Sequence, residues 1–246
     1  MFIQLAPLEF RTFLVLTIIL ITWKAVLASY LGLKMYQKAK ESGSFTFGFV
    51  FSVFVLMACL LVSRMVYMIF DFHLTGFDAS LYPLMPNIVF WKLASIISAG
   101  GYSIFLLVTD VKIFKFKFKG IFTFILWAFM VIQAVYPVST EADFQVVSSF
   151  SLFSNLVAIV IPMLFFSMSR HKGPVRLPSL LIAFGVIIYA VGANLTVETL
   201  LAILVEAFGT GARISVYFIS LVLKVTGLAM FSLGVTKFTL EFSKAA

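Results

Sequence analysis

Charge, cysteine and histidine are what this sequence has least of. Only 11% of its 246 residues are charged, where a soluble domain has about 25%. Hydrophobic residues make up 62% and the mean hydropathy is +1.13, more apolar surface than a soluble fold can hide. The one cysteine, Cys59, lies in an apolar run, which excludes an intrachain disulfide framework. Two histidines, His73 and His171, on connections expected at opposite faces, leave no transition-metal cluster to propose. Marks of catalysis are missing as well. There is no H-E-x-x-H, no G-x-S-x-G, no P-loop, no paired intramembrane aspartates and no Ser/His or Cys/His pair at a plausible depth, so an enzyme is not expected. Neither a channel filter nor a clear inverted repeat is visible.

What is present is a series of apolar stretches long enough to cross about 30 Å of hydrocarbon. Seven are expected, over 12–33, 46–70, 88–109, 120–137, 147–168, 179–205 and 214–236, making residues 1–246 one all-α transmembrane domain, integral to the membrane and multi-pass. The first is read as a retained helix and not a cleaved signal, because MFIQLAPLEFR has no basic n-region. Breakers fall between the spans: Ser42-Gly43, Pro83 and Pro86, Pro137, Pro174 and Pro178. Pro162 alone lies inside one, where a kink is expected.

Direction follows from the basic residues, which concentrate in cytoplasmic connections. One side carries Lys34, Lys38, Lys40, Lys112, Lys115, Lys117, Lys119, Arg170, Lys172, Arg176, Lys237 and Lys244; the other carries Arg11 and Arg213. Twelve against two implies an N-terminus outside and a C-terminus inside. The net charge of +8 is thus a topological and lipid-facing signal; with no soluble domain expected, no nucleic-acid partner is. Within Asp110–Lys119, Lys115, Lys117 and Lys119 alternate with Phe114, Phe116 and Phe118. Extended, this segment would lay cations on one side and rings on the other, which with Lys112 suits the surface of an anionic leaflet. An ordinary topogenic cluster and a docking site for a cytoplasmic partner are the other readings of it.

Four basic residues fall inside the expected spans: Lys24, Arg64, Lys92 and Lys224. Lys24 and Lys224 are near mid-membrane, where a charge costs about 2.5–3.5 kcal/mol on insertion scales and needs a partner or loses its proton. Arg64 and Lys92 are closer to the outer face, where long side chains snorkel. Ser220, Gly227 and Gly234 recur every seven residues around Lys224, so this face is expected against another helix; Gly185 and Gly192 form a similar seam. Glu198 is the one carboxylate inside a span. Arg64, Lys92, Asn155, Asn194, Glu198 and Lys224 are therefore the candidate ligand residues, lining an outward-facing cationic pocket for an anionic small molecule or lipid head group, with Lys24 a buried charge. The competing reading is that these residues only pair with one another, Lys224 with Glu198 for example, and lock the bundle.

Ser-Leu-Val-Leu-Lys224-Val-Thr-Gly resembles the retinal-binding seventh helix of microbial rhodopsins, which would imply a Schiff base on Lys224. The chain departs from that family in having Ser220 where it has an aspartate, no third-helix carboxylate at the matching depth, and no ring-flanking Trp and Pro in helix six. No cofactor is expected. Animal G-protein-coupled receptors share only the topology. Phe45-Thr-Phe-Gly-Phe, Phe70-Asp-Phe-His-Leu-Thr-Gly-Phe-Asp, Phe116-Lys-Phe-Lys-Gly-Ile-Phe and Ala183-Phe-Gly-Val-Ile-Ile-Tyr resemble a group of uncharacterised archaeal seven-helix proteins across most of the chain, which implies the architecture but no activity. Three function classes follow: a sensor or receptor-like module signalling through a cytoplasmic output protein, an accessory subunit whose buried lysines meet carboxylates of partner membrane subunits, and a small organic-anion transporter.

Overall fold

The computed structural model describes residues 7–42, 48–150, 155–170, 173–196, 204, 206–209 and 212–245, with side chains throughout except at 38, 41, 42, 155–158 and 240–245. These residues form helices and turns, with no strand among them. The helices are α1 (Pro7–Ser42), α2 (Phe49–Met68), α3 (Asn87–Lys112), α4 (Ile121–Val135), α5 (Glu141–Phe150), α6 (Asn155–Ser169), α7 (Arg176–Asn194) and α8 (Ala212–Ala245). Five are long and apolar enough to cross a membrane: Pro7–Gln37, Phe49–Leu74, Asn87–Lys112, Arg176–Asn194 and Ala212–Thr239. The chain is thus an all-helical protein of multi-pass membrane character.

Helix is the form this sequence must take in lipid, because every backbone N–H and C=O is satisfied within the segment. The side chains are sorted as a bilayer requires. Val15, Ile18, Ile19 and Leu33 of α1 and Phe124, Trp127 and Val131 of α4 are exposed, while Lys24, Ser63, Asp110, Gln133 and Ser220 are buried.

The fourth expected span, 120–137, is α4, and the fifth begins earlier than 147. α4 has 15 residues, about 22 Å of helix, set between Gly120 in the left-handed region and Pro137. Over the fifth, the described residues are α5, which starts at Glu141, and α6 from Asn155. The early start is a capping box: Thr140 Oγ1 accepts from the Asp143 N–H at 3.2 Å, and Asp143 Oδ2 accepts from the Thr140 N–H at 2.9 Å. Hydrogen bonds from the backbone N–H of Ser139, then from Thr140, hold the Asp143 carboxyl below the usual carboxylate range. Pro162 lies inside α6.

The helices gather in two compact units. The first holds Lys24–Val157, and the second holds α1 through Trp23 with Ala158 onward. In the first unit α2 and α3 run antiparallel. A Cβ on Gly101 would lie 2.7 Å from Cys59 Cβ, and Ser63 Oγ donates to Ala94 O at 2.7 Å. Their connection continues α2 as a π-helix, Ile69–Leu74, then turns through Ala79–Leu81, which Asp78 caps by accepting from the Ser80 hydroxyl and N–H.

In the second unit the core is the α7–α8 pair, also antiparallel. Gly185 and Gly227 face each other, Gly192 faces Ser220 and Leu223, and Gly234 faces Ile182. Ser220 Oγ closes the seam by donating to Gly192 O at 2.6 Å. The two small-residue registers expected on these helices therefore pack on one another. α1 adds a stacked ring pair, Phe13 with Tyr217, and a hydrogen bond from Trp23 Nε1 to Val225 O.

Candidate functional site

Polar groups gather in the first unit where α2 ends, α3 begins and α4 ends. Arg64 and Asp71 are seven residues apart, a separation that returns to the same helix face two turns on. Arg64 Nη1 lies 3.6 Å from Asp71 Oδ2. Arg64 is therefore held in an ion pair within its own helix, a different arrangement from the snorkelling expected of it. The second span is expected to end at residue 70; the π-helical continuation of α2 carries Asp71 onto the helix.

One turn on from Arg64, the Tyr67 phenol is hydrogen-bonded with Ser95 of α3. Ser95 Oγ donates to Gln133 Oε1 of α4 at 3.0 Å. Gln133 is 3% exposed, and its Nε2 has no hydrogen-bond partner among the described residues. Lys92 reaches the end of α4, where its Nζ donates to Ala134 O at 3.2 Å and Tyr136 O at 2.6 Å. Those carbonyls have no acceptor role left inside the helix, and an ammonium there also meets the negative end of the helix dipole.

Aromatic side chains cover this layer. Phe70, Ile88, Trp91 and Val147 form a buried cluster with Tyr67, Tyr82, Tyr136, Phe144 and Phe150 packed against it. Phe144 of α5 is the hub, within 5.0 Å of the Tyr82 and Trp91 rings.

Arg64 and Lys92 belong to the first unit, Asn194 and Lys224 to the second. Lys24 is 3% exposed, and its Nζ donates to Leu60 O of α2 at 3.2 Å. Lys224 is half-buried beside the glycine seam, with Nζ 3.4 Å from Thr196 Oγ1. Asn194 turns its amide back to Ala190 O on its own helix. Glu198 and the side chain of Asn155 lie outside the described residues, as does His171. Among the described residues no three His, Cys, Asp or Glu side chains gather to hold a metal ion.

The basic segment after α3 is not extended. Asp110, 5% exposed, accepts from the Phe118 N–H through Oδ1 at 3.0 Å and from the Gly120 N–H through Oδ2 at 2.8 Å. This carboxylate winds the chain into a compact loop with Lys115, Phe116 and Lys119 in the left-handed region. Lys112, Lys115, Lys117 and Lys119 are all exposed.

Reasoning from sequence missed Asp71, Tyr67 and Gln133. Gln133 carried a usable signal, since an amide inside an otherwise apolar helix needs a partner in lipid. Arg213, expected in the connection just before the last span, is buried in the first turn of α8. The sequence matches no protein-family model, and neither a curated protein nor a solved structure is detectably similar to it.

Proposed function

We propose that this chain is a seven-helix membrane sensor or receptor-like module whose ligand-responsive part is the polar layer of the first unit. The observation that carries the reading is the buried Gln133 amide nitrogen: two N–H donors, on an amide whose oxygen is held by Ser95, with no acceptor among the described residues. A buried donor of this kind costs about 1–3 kcal/mol if left unmade. An acceptor-bearing small molecule, a carboxylate or a carbonyl compound, would remove that cost and would lie beneath the aromatic side chains of Phe70, Trp91 and Phe144. The Asp71 carboxylate already balances Arg64, so the layer favours acceptors more than net negative charge. This balance also weakens the accessory-subunit reading for Arg64, which has no need of a partner carboxylate.

Gln133→Leu separates ligand binding from packing. With the purified protein in detergent, a panel of small carboxylates and carbonyl compounds is expected to raise the melting temperature of the wild type, and Gln133→Leu is expected to abolish that rise. A purely structural amide gives the opposite pair of results. No panel member would shift the wild type, and Leu would lower stability by about 1–3 kcal/mol by removing the acceptor of the buried Ser95 hydroxyl.

The seven-span topology, N-terminus outside, belongs to the same proposal. Five helices span by length. α4 and α6 reach about 22 Å each, and Tyr136 beside α4 is the kind of residue that sits at the interface. The twelve-to-two distribution of basic residues supports the direction. In a chain with Cys59 replaced, a cysteine introduced next to Asp78 is expected to react with a membrane-impermeant maleimide in intact cells. Labelling only after lysis would reverse the orientation.

A further inference from the structure

The connection between α3 and α4 is eight residues, Ile113–Gly120, lying directly between one spanning helix and another apolar one. A loop this short cannot leave the membrane–water interface, whichever face it is on. Its backbone N–H groups are almost all bonded internally. Beyond the two bonds to the Asp110 carboxylate, Phe116 N donates to Asp110 O at 2.8 Å, Lys117 N to Phe114 O at 3.1 Å and Lys119 N to Phe116 O at 3.2 Å. The loop is thus wound around the Asp110 carboxylate, unlike an extended basic tail.

That shape sorts the side chains differently from simple alternation. Phe114, Phe118 and Phe122 form a chain of ring contacts with centroids 5.5 Å apart, all half-buried. Phe116 is set apart from them by the left-handed backbone at Lys115 and Phe116, with φ of 51° and 58°, a conformation that residues with side chains seldom adopt. It is 49% exposed. The same segment carries Lys112, Lys115, Lys117 and Lys119, all exposed, while its one acidic residue, Asp110, is buried and spent on backbone N–H groups. Four exposed ammoniums and an outward phenyl ring on one short interfacial loop match the phosphodiester head groups and acyl boundary of an anionic leaflet.

We infer that the Asp110-held loop is a preformed site for anionic phospholipid, with Lys112, Lys115, Lys117 and Lys119 on the head-group phosphates and Phe116 seated among the acyl chains. The site is separate from the Gln133 layer and stands or falls independently of it. Each basic residue at an anionic surface strengthens binding by about fivefold. Removing three is therefore expected to weaken it about a hundredfold.

The experiment uses the full chain in detergent, titrated with phosphatidylglycerol or phosphatidylcholine and read by native mass spectrometry of lipid adducts. Wild type is expected to retain phosphatidylglycerol in preference to phosphatidylcholine, and Lys115→Gln/Lys117→Gln/Lys119→Gln is expected to lose the preference. Asp110→Asn is the sharper variant. It makes the loop more positive by one charge, so attraction by charge alone predicts tighter phosphatidylglycerol binding. A preformed site predicts weaker binding by several-fold, because an amide cannot accept from both the Phe118 and Gly120 N–H groups in the same way. The inference is overturned by equal retention of the two lipids, by a triple variant that keeps the preference, by Asp110→Asn binding phosphatidylglycerol more tightly, or by a stoichiometric protein on the loop in place of lipid.

Discussion

Gly227→Ala is expected to lower stability by about 2–3 kcal/mol or more, the largest loss for a single methyl group in the described residues of the second unit. The added Cβ would lie 2.5 Å from Tyr189 N, 2.7 Å from Gly185 O and 2.9 Å from Tyr189 Cα. All three are backbone atoms, which cannot rotate away as a side chain can, so α7 and α8 must part. Parting them also loosens Gly185 against Phe231 N, Gly234 against Ile182 and the hydrogen bond from Ser220 to Gly192 O. Between helices in lipid there is little hydrophobic force to offset this, because close backbone packing is itself the main attraction. Two other glycines calibrate the scale. A Cβ on Gly32 meets only the Phe54 ring, at 3.2 Å, and one on Gly100 meets only Met130 Cε, at 3.9 Å. Denaturation in mixed micelles is expected to rank the alanine variants Gly227 worst, Gly32 intermediate and Gly100 within about 0.5 kcal/mol of wild type. A Gly227→Ala protein that unfolds with the wild type would show that the seam is not held by backbone contact.

The seam was legible in the sequence because small residues every seven positions have few explanations in an apolar helix, and here Ser220 and Gly227 meet Gly192 and Gly185 while Gly234 packs on Ile182. The five long helices were legible for a similar reason, since length and hydropathy leave no other solvent. Features that depend on backbone groups far along the chain were not. Nothing in the spacing of Lys92 announces the carbonyls of Ala134 and Tyr136 more than 40 residues away. The alternation of Lys and Phe after Asp110 suggested an extended strip, and one carboxylate capping N–H groups eight and ten residues on made it a loop. Asp71 was hidden by a boundary. With α2 ended near residue 70 it belonged to a turn, and only the π-helical continuation to Leu74 brings it to Arg64. Gln133 could have been noticed as a lone amide, but not that Ser95 would take its oxygen and leave its nitrogen.

Breaking the Arg64–Asp71 pair is expected to cost about 1–3 kcal/mol. Complete burial would place the loss at about 3–5 kcal/mol when one partner is removed. The side chains keep 28% and 19% of their surface, and the approach is 3.6 Å, so the expected loss is smaller. Asp71→Asn keeps the shape and removes the charge, leaving the guanidinium with a weaker acceptor. Arg64→Met leaves the carboxylate without its cation. If the pair is a unit, the double variant should recover part of the loss, and the coupling from the four-protein cycle should exceed about 1 kcal/mol. A snorkelling arginine, fully served by water and head groups, predicts near-zero coupling and an Arg64→Met protein as stable as wild type. The same cycle tests how far the polar layer acts as one piece. Tyr67 lies between Arg64 and Asp71 in sequence and is bonded to Ser95, which in turn holds Gln133. Asp71→Asn is therefore expected to diminish the ligand-dependent stabilisation that Gln133→Leu abolishes, although Asp71 and Gln133 come from different helices. Full retention of that stabilisation in Asp71→Asn would separate the ion pair from the binding layer and confine it to holding α2.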